Sequence, residues 1–243
     1  MELTGRLALV TGAGHRVGRA IAQGLAARGM DIAVHYNASE EPARATARSI
    51  VALGRRAEIF PANLAERGTP AGLVNAVSRK MGDLDVVINS AAVMMRTPWD
   101  SVTETEWDDM FALNLRAAFF VSQAAAMAMR DRGGAIVNIA DLAAYETWPA
   151  YIPHGITKAG IVQMTRGLAR VLAPAVRVNA VAPGAVLLPD SWTEADGRRL
   201  AETTPLRRLG TPDDVVSAVV YLLEADFVTG ETIIVDGGRH VRG

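Results

Sequence analysis

The chain has 243 residues, half of them apolar, and its 25 basic and 26 acidic side chains leave a formal net charge of −1. That balance argues against a nucleic-acid-binding surface and favours a small-molecule partner. The absence of cysteine excludes disulfides, thiol nucleophiles and thiolate metal sites, and the four histidines are too scattered in the sequence to predict a metal site.

The first predicted elements are a strand, a glycine-rich turn and a helix. The apolar run Leu7–Val10 is typical of a strand buried on both faces, and a helical pattern follows at 19–28. Between them, Gly12, Gly14 and Gly18 let the backbone turn sharply and let a ligand approach the peptide groups. The helix N-terminus offers free N–H groups to phosphate. This order of elements predicts a dinucleotide-binding site.

Strand-like and helix-like segments then alternate with no internal repeat or linker. We therefore expect one domain, residues 1–243, that holds both the dinucleotide site and the substrate pocket. The alternation predicts an α/β fold in which a doubly wound, seven-stranded parallel sheet carries helices on both faces. After the first strand, the predicted strands span 31–35, 57–60, 84–89, 135–140, 176–182 and 232–235.

The end of the second predicted strand indicates which nicotinamide nucleotide binds. An NAD site places Asp or Glu there to bond the ribose 2′-hydroxyl, but His35, Tyr36 and Asn37 are not acidic. Arg16 offers a charge-assisted grip on a 2′-phosphate, with Asn37 and Ser39 as neutral donors nearby. The sequence therefore favours NADPH over NADH. The alternative for Arg16 is a solvated turn residue.

The spacing Thr-Gly-x-x-x-x-x-Gly, from Thr11 to Gly18, resembles the short-chain dehydrogenase/reductase family, with Arg16 where a third glycine is usual. Further segments that resemble the family lie at 89–92, 183–184 and 235–238. The resemblance implies a single-domain Rossmann fold and an NADP-dependent oxidoreductase. The cofactor contacts predicted from the motifs and the resemblance are Gly12, Gly14, His15, Arg16, Val17, Gly18, Tyr36, Asn37, Ser39, Asn63, Leu64, Asn89, Ala91, Lys158, Pro183, Gly184 and Val186.

The predicted catalytic centre departs from the family. In the family a serine precedes a tyrosine by thirteen residues, and a lysine follows the tyrosine by four. Counting back from Lys158 puts His154 at the tyrosine position and Asp141 at the serine position, while Asn114 matches the family's catalytic asparagine. Aspartate for serine, like Arg16, resembles the pteridine reductase and dihydromonapterin reductase branch. Histidine for tyrosine departs from that branch as well.

Two interpretations of His154 are open. As the general acid, its imidazolium would deliver a proton near neutral pH, with Asp141 favouring the charged ring and Lys158 opposing it. Alternatively, His154 fills the tyrosine's space in a protein that binds NADPH without turnover and acts through its surface. The resemblance implies that Lys158 binds the nicotinamide ribose and that Asn114 completes a proton path.

The resemblance implies hydride transfer from NADPH to a C=O or C=N bond of a small molecule. A pterin is the first candidate because of Arg16 and Asp141, and a ketone or 3-oxoacyl group is the alternative. Met94 lies where pterin-reducing relatives carry an aromatic residue, and Leu187 and Trp192 lie in an irregular stretch suited to a lid. These three are the predicted substrate contacts, with ordinary packing as the alternative.

The predicted helix at 103–132 carries more apolar surface than one side of a sheet needs. The resemblance implies that this helix and the one after Pro153 pair across a two-fold axis in a homotetramer or dimer. Residues 1–12 lack a basic segment followed by an apolar core, and the apolar stretch 117–129 is broken by Ser122 and Gln123. We therefore predict neither a signal peptide nor a membrane span, and we expect a cytoplasmic protein.

Overall fold

The computed structural model describes residues 1–188 and 193–241. Within them, seven strands form one parallel sheet in the order β3-β2-β1-β4-β5-β6-β7, which confirms the predicted Rossmann fold. The strands are β1 (Leu7–Val10), β2 (Asp31–Tyr36), β3 (Ala57–Pro61), β4 (Val86–Asn89), β5 (Gly134–Ile139), β6 (Val176–Pro183) and β7 (Thr232–Val235).

Helices cover both faces of this sheet. They are α1 (Arg16–Ala27), α2 (Glu40–Ala52), α3 (Thr69–Met81), α4 (Glu104–Phe111), α5 (Ala118–Met129), α6 (Ile152–Leu172), α7 (Glu194–Thr203) and α8 (Pro212–Glu224). Short 3₁₀ turns lie at Leu142–Ala144 and Arg239–Val241. Helices α1, α2 and α8 pack on one face of the sheet, and α3, α5 and α6 on the other. Because both faces are covered, β1 and β4 are buried at every residue rather than alternately.

The long helix predicted at 103–132 is interrupted, which corrects the prediction. It begins with the expected capping box, in which Thr103 Oγ1 accepts from the Glu106 N–H at 3.2 Å and the Glu106 carboxylate accepts from the Thr103 N–H at 2.8 Å. The chain then widens into a π-helical turn, Ala112–Ala117, before α5 begins. The apolar pattern of the sequence did not predict this change in backbone hydrogen-bond spacing. Such turns are frequent at functional sites, and this one carries Asn114.

Helix α1 also begins earlier than predicted, at Arg16 rather than at residue 19, because the Arg19 N–H already bonds to the His15 carbonyl at 3.0 Å. The helical run Glu104–Met129 is, among the described residues, the one run long and apolar enough to cross a membrane, with a mean hydropathy of 1.2. Of that apolar window, 44% is buried inside the fold, where α5 packs on α3 and the sheet. A core helix meets the same criteria, so the run is weak evidence for a membrane span.

His35, near the end of β2, links the glycine-rich turn to the segment after β3. Its Nδ1 accepts a hydrogen bond from the Gly12 N–H at 3.0 Å, and its Nε2 lies 3.0 Å from the Ala62 carbonyl oxygen. A carbonyl can only accept, so Nε2 carries the proton. Burial lowers the pKa of His35 to about 4, which keeps the ring neutral near pH 7. His35 therefore has a structural role beside the predicted nucleotide site.

Candidate active site

The carboxyl ends of β1, β4, β5 and β6 meet at one edge of the sheet. Between β1 and β4 the strand order changes direction, and open α/β sheets bind ligands in the crevice at that point. The glycine-rich turn follows β1, a segment that starts at Ser90 follows β4, Asp141 follows β5 and Gly184 follows β6. Residues predicted from separate motifs therefore share this edge.

The glycine-rich turn packs directly against the segment after β4. Gly12 has a φ of +67°, and a Cβ there would lie 3.0 Å from the Ala91 Cα. A Cβ on Gly18 would lie 2.4 Å from the Gly12 carbonyl oxygen, so this position also excludes a side chain. Thr11 Oγ1 holds the two segments together by accepting from the N–H groups of Ser90 and Ala91, at 2.9 and 3.0 Å. The turn is thus a preformed cradle below the start of α1, suited to a pyrophosphate.

Lys158 lies on α6 and is buried, with its ammonium bonded to the Ile139 carbonyl oxygen at 2.8 Å. Burial lowers the pKa of Lys158 to about 8, and the nearby Asp141 carboxylate opposes that shift. Asp141 is itself held at the end of β5, because one carboxylate oxygen accepts from the Ala143 N–H at 2.8 Å. Its second oxygen is left to face the site.

His154 lies one helical turn before Lys158 and is 2% exposed. Its Nδ1 lies 3.3 Å from the Val93 carbonyl oxygen, and its Nε2 lies 3.8 Å from Asp141 Oδ2. The second distance is too long for a direct hydrogen bond. Within residues 1–188 and 193–241, Nε2 is buried without a hydrogen-bond partner. The structure thus brings the predicted His154, Asp141 and Lys158 together.

Asn114 projects from the π-helical turn and contacts the Val93 backbone. Its Oδ1 accepts from the Val93 N–H and its Nδ2 donates to the Val93 carbonyl oxygen, both at 2.8 Å. Nδ2 also lies 3.3 Å from Thr157 Oγ1 on α6. All four predicted catalytic residues therefore belong to one connected cluster at the carboxyl edge of the sheet.

A sequence profile of the family described as enoyl-(acyl carrier protein) reductase matches residues 12–240. The chain belongs to the short-chain dehydrogenase/reductase family. It is 34% identical to the 3-oxoacyl-[acyl-carrier-protein] reductase FabG of Staphylococcus aureus (strain Mu50) over 99% of this chain and 100% of that protein.

Solved structures agree with this assignment. A protein of Sinorhizobium meliloti 1021, described as a short-chain alcohol dehydrogenase, is 35% identical with a TM-score of 0.94, covering 100% of this chain and 99% of its own. The angucycline C-6 ketoreductase LanV, solved with bound NADP, is 31% identical with a TM-score of 0.91, covering 99% of this chain and 98% of its own. The closer resemblance to pteridine reductases is not supported by these relatives. That prediction depended on two residues, Arg16 and Asp141. Similarity over the whole chain is stronger evidence than two positions.

The assignment of His154 to the family's tyrosine position and of Asp141 to its serine position stays a prediction. The two side chains approach each other, with His154 Nε2 3.8 Å from Asp141 Oδ2, and Asp141 lies near enough to Lys158 to affect its pKa. The tyrosine three residues earlier, Tyr151, does not replace the missing one. It is the residue that precedes α6, and its ring packs edge-on against Trp148 at 6.3 Å between centroids.

The predicted cofactor residues near the glycine-rich turn and the end of β2 differ in how exposed their side chains are. His15 and Asn37 are exposed, Val17 and Ser39 are half-buried, and Tyr36 is buried at the end of β2. The Leu64 side chain belongs to the apolar core, and Asn63 bonds within its own loop to the Ala65 N–H and to Glu66, so contacts from these two to a cofactor stay predictions. Pro183 ends β6, Gly184 donates to the Val235 carbonyl oxygen at 2.9 Å, and Val186 is buried.

Asn89 has a structural role that was not predicted from the sequence. Its Nδ2 donates to Ser122 Oγ at 2.9 Å and to Asn138 Oδ1 at 2.8 Å, and Asn138 in turn donates to Thr165 Oγ1. This buried network joins β4, β5, α5 and α6 behind the site. A cofactor contact by the Asn89 side chain stays a prediction.

Arg16 makes a contact that its motif did not indicate. Its guanidinium donates to the Leu187 carbonyl oxygen at 2.8 Å, which links the glycine-rich turn to the segment after β6. Its backbone has a φ of +48°, in the left-handed region that favours glycine. Such strain clusters at functional sites and costs roughly 1–3 kcal/mol. Its predicted bond to a 2′-phosphate stays a prediction.

The predicted substrate residues are only partly placed. Met94 is 49% exposed beside Val93, and Leu187 follows β6, whereas Trp192 lies outside the described residues. A backbone bond from the Thr97 N–H to the Ala150 carbonyl, at 2.8 Å, closes the segment after β4 onto the start of α6. Val93 is a site residue that could not be predicted from the sequence, because its backbone makes the contacts and residue type carries no signal for that.

Proposed function

We propose that the protein is an NADPH-dependent reductase of a carbonyl group in a small molecule, of the ketone or 3-oxoacyl type. The observation that carries the proposal is the cluster of His154, Asp141 and Lys158 at the carboxyl edge of the sheet. The names of the relatives support a keto substrate, since they include a 3-oxoacyl reductase and a ketoreductase. The alternative function considered from the sequence is therefore favoured over pterin reduction.

The predicted cofactor, NADPH, is confirmed by the comparisons, since LanV was solved with bound NADP. The residues of this chain fit such a cofactor. The cradle formed by Gly12, Gly18 and Ala91 has no room for added side chains, and it leaves the start of α1 open to phosphate. At the end of β2, no carboxylate is present among Tyr36, Asn37 and Ser39 to repel a 2′-phosphate. We infer that Lys158, whose ammonium bonds to the Ile139 carbonyl oxygen at the same edge of the sheet, would also bond the nicotinamide ribose.

When bound, NADPH supplies the hydride for the carbonyl carbon. His154 donates a proton to the carbonyl oxygen, so that the C=O bond becomes an alcohol and the imidazole is left neutral. The Asp141 carboxylate, 3.8 Å from His154 Nε2, stabilises the imidazolium before transfer. Lys158 places a second positive charge at the site, which stabilises negative charge as it develops on the oxygen. Solvent returns the proton to His154 after product leaves.

The test is NADPH oxidation measured against a panel of ketones, diketones, 3-oxoacyl thioesters, quinones and pterins. We expect turnover of at least one keto compound, and loss of that turnover in Lys158→Met, which keeps the length of the side chain without its charge. Turnover of pterins alone would replace the proposed substrate class. If NADPH binds but no compound in the panel is reduced, the non-catalytic interpretation of His154 becomes the better one.

We also propose that the protein assembles as a dimer or tetramer through α5 and α6. A groove of about 590 Å³ between them is lined by apolar side chains, among them Leu115, Phe119, Phe120, Met164 and Val171. Phe120 is 44% exposed and Val171 is 71% exposed, a surface more apolar than water-facing helices usually present. A second copy of the chain, packed across a two-fold axis, would cover it. A cytoplasmic location stays a prediction.

Light scattering at micromolar concentration should give at least twice the monomer mass. The double variant Phe120→Asp, Val171→Asp should reduce that mass by a factor of two or more, since burying carboxylates in an interface is unfavourable. Val51→Asp is the matched control, because Val51 is also an exposed aliphatic residue, on α2 at the other face of the sheet. A monomer mass for the wild-type protein, or an equal loss in the control, would contradict this surface.

A further inference from the structure

The neighbours of His154 determine which ring nitrogen carries a fixed proton. Nδ1 lies 3.3 Å from the Val93 carbonyl oxygen, and this oxygen can accept hydrogen bonds but cannot donate them. The contact is therefore a hydrogen bond only if Nδ1 is protonated. In the neutral ring, that leaves Nε2 without a proton.

Asn114 holds the Val93 peptide in the orientation that this contact needs. Its two amide atoms bond to the N–H and to the carbonyl oxygen of the same residue, each at 2.8 Å. The Val93 N–H can only donate, so Oδ1 must face it and Nδ2 must face the carbonyl, which fixes the amide orientation. Asn114 Nδ2 and a protonated His154 Nδ1 are then two donors to the same Val93 oxygen. Because Asn114 is 2% exposed, water does not compete with these bonds.

The other nitrogen, Nε2, is on the side of Asp141 and of the site. Among the residues that the structure describes, it has no hydrogen-bond partner, although it is fully buried. The nearest carboxylate oxygen, Asp141 Oδ2, lies 3.8 Å away. At that distance no hydrogen bond to Asp141 fixes a proton on Nε2, so the contact of Nδ1 with the Val93 carbonyl decides the tautomer of the neutral ring.

We infer that the Val93 carbonyl, held by Asn114, fixes His154 as the Nδ1–H tautomer, so that Nε2 is the nitrogen that gains and loses the transferred proton. Val93 and Asn114 are then positioning residues for His154. The catalytic meaning of this arrangement rests on the proposed reductase function, whereas the protonation of each ring nitrogen is a property of the free protein.

His35 provides an internal reference for the opposite tautomer. Its Nδ1 accepts from the Gly12 N–H and its Nε2 donates to the Ala62 carbonyl, so the neutral ring must be the Nε2–H form. The two buried histidines of this chain are thus expected to differ in tautomer. His15 and His240 are both exposed, and His240 Nδ1 lies 2.8 Å from Asp236 Oδ2.

The experiment is two-bond ¹⁵N–¹H correlation NMR of the histidine-labelled protein without substrate, over a pH series, with His35→Gln and His154→Gln used for assignment. For neutral His154 we expect a protonated Nδ1 and an unprotonated Nε2, and on acidification the Nε2 signal should shift to the protonated position while Nδ1 changes little. His35 should give the reverse pattern. An Nε2–H tautomer for neutral His154 would overturn the inference.

The role of Asn114 is tested by the near-isosteric variant Asn114→Asp, which removes the amide donor to the Val93 oxygen. The neutral His154 ring should then become a mixture of tautomers, visible as a shift of both ring nitrogen signals toward intermediate positions. An unchanged Nδ1–H tautomer would remove Asn114 from the inference. If this variant does not fold, the wild-type spectrum still decides the tautomer. Absence of reductase activity with the Nδ1–H tautomer present would refute the proposed function and leave this inference intact.

Discussion

Replacing His154 with alanine is expected to lower kcat for carbonyl reduction by about 100- to 10,000-fold, the range for loss of a general acid. The reason is the environment of Nε2. This nitrogen lies 3.8 Å from Asp141 Oδ2 and has no hydrogen-bond partner among the described residues. Steady-state kinetics with the best keto substrate of the panel gives kcat directly. An unchanged kcat would mean that the proton comes from water or from the substrate itself.

The pH dependence separates His154 from its neighbours. The reduction rate should fall as pH rises, because the neutral ring has no proton on Nε2 to transfer. Asp141→Asn should lower the rate at neutral pH, since it removes the carboxylate that lies 3.8 Å from His154 Nε2. His154→Tyr restores the family's usual residue, and a phenol holds its proton to much higher pH than an imidazole.

The tyrosine variant should therefore keep activity at alkaline pH. The other titrating group is Lys158, whose pKa is lowered to about 8 by burial. If the rate of the His154→Tyr variant still falls as pH rises in the same range as the wild type, the fall must be assigned to Lys158. That outcome would contradict the role of His154 as the acid. If turnover appears only after tyrosine is introduced, the wild-type chain is a non-catalytic NADPH-binding protein.

Replacing Arg16 should change cofactor selectivity. If its guanidinium meets the 2′-phosphate, Arg16→Ala should weaken NADPH binding by about 1.5–3 kcal/mol, or roughly 10- to 150-fold, the range for hydrogen bonds to charged groups. NADH, which lacks the phosphate, should bind nearly as before. Fluorescence titration with the two nucleotides measures both dissociation constants.

Two further variants make this test specific. Arg16→Gly removes the same charge and also relieves the backbone strain at a φ of +48°, so it should be more stable than Arg16→Ala yet equally poor at binding NADPH. Arg28→Ala is the charge-matched control, because Arg28 follows the far end of α1. Equal losses for NADPH and NADH would assign Arg16 to the turn and to its bond with Leu187, rather than to the phosphate.

The parts of the fold that were predictable from the sequence are those that depend on apolar patterning. The burial of β1 at every position and the capping box at Thr103 and Glu106 follow from residue type and spacing. The π-helical turn does not, because Asn114 is displaced by a change in backbone hydrogen bonding that leaves the apolar pattern unaltered. This turn brings the Asn114 amide to the Val93 backbone.

The site was predictable for side chains placed by motif spacing and not for contacts made by the backbone. Counting from Lys158 located His154 and Asp141, whose side chains do face each other. The Val93 carbonyl has no sequence signature, since any residue supplies one. The glycine-motif arginine was expected at the adenosine end, but its guanidinium reaches Leu187, 171 residues further along the chain. A long, exposed side chain can adopt several directions, and spacing does not choose among them.

The most direct test of the account is transfer of deuterium to a keto substrate from NADPH that carries deuterium at both hydrogens of the nicotinamide 4-position, followed by mass spectrometry of the product. Wild-type protein should yield an alcohol one mass unit heavier, with the label on the former carbonyl carbon, and His154→Ala should form it at least about 100-fold more slowly. Bound labelled NADPH that transfers no deuterium to any keto compound of the panel would contradict the central claim.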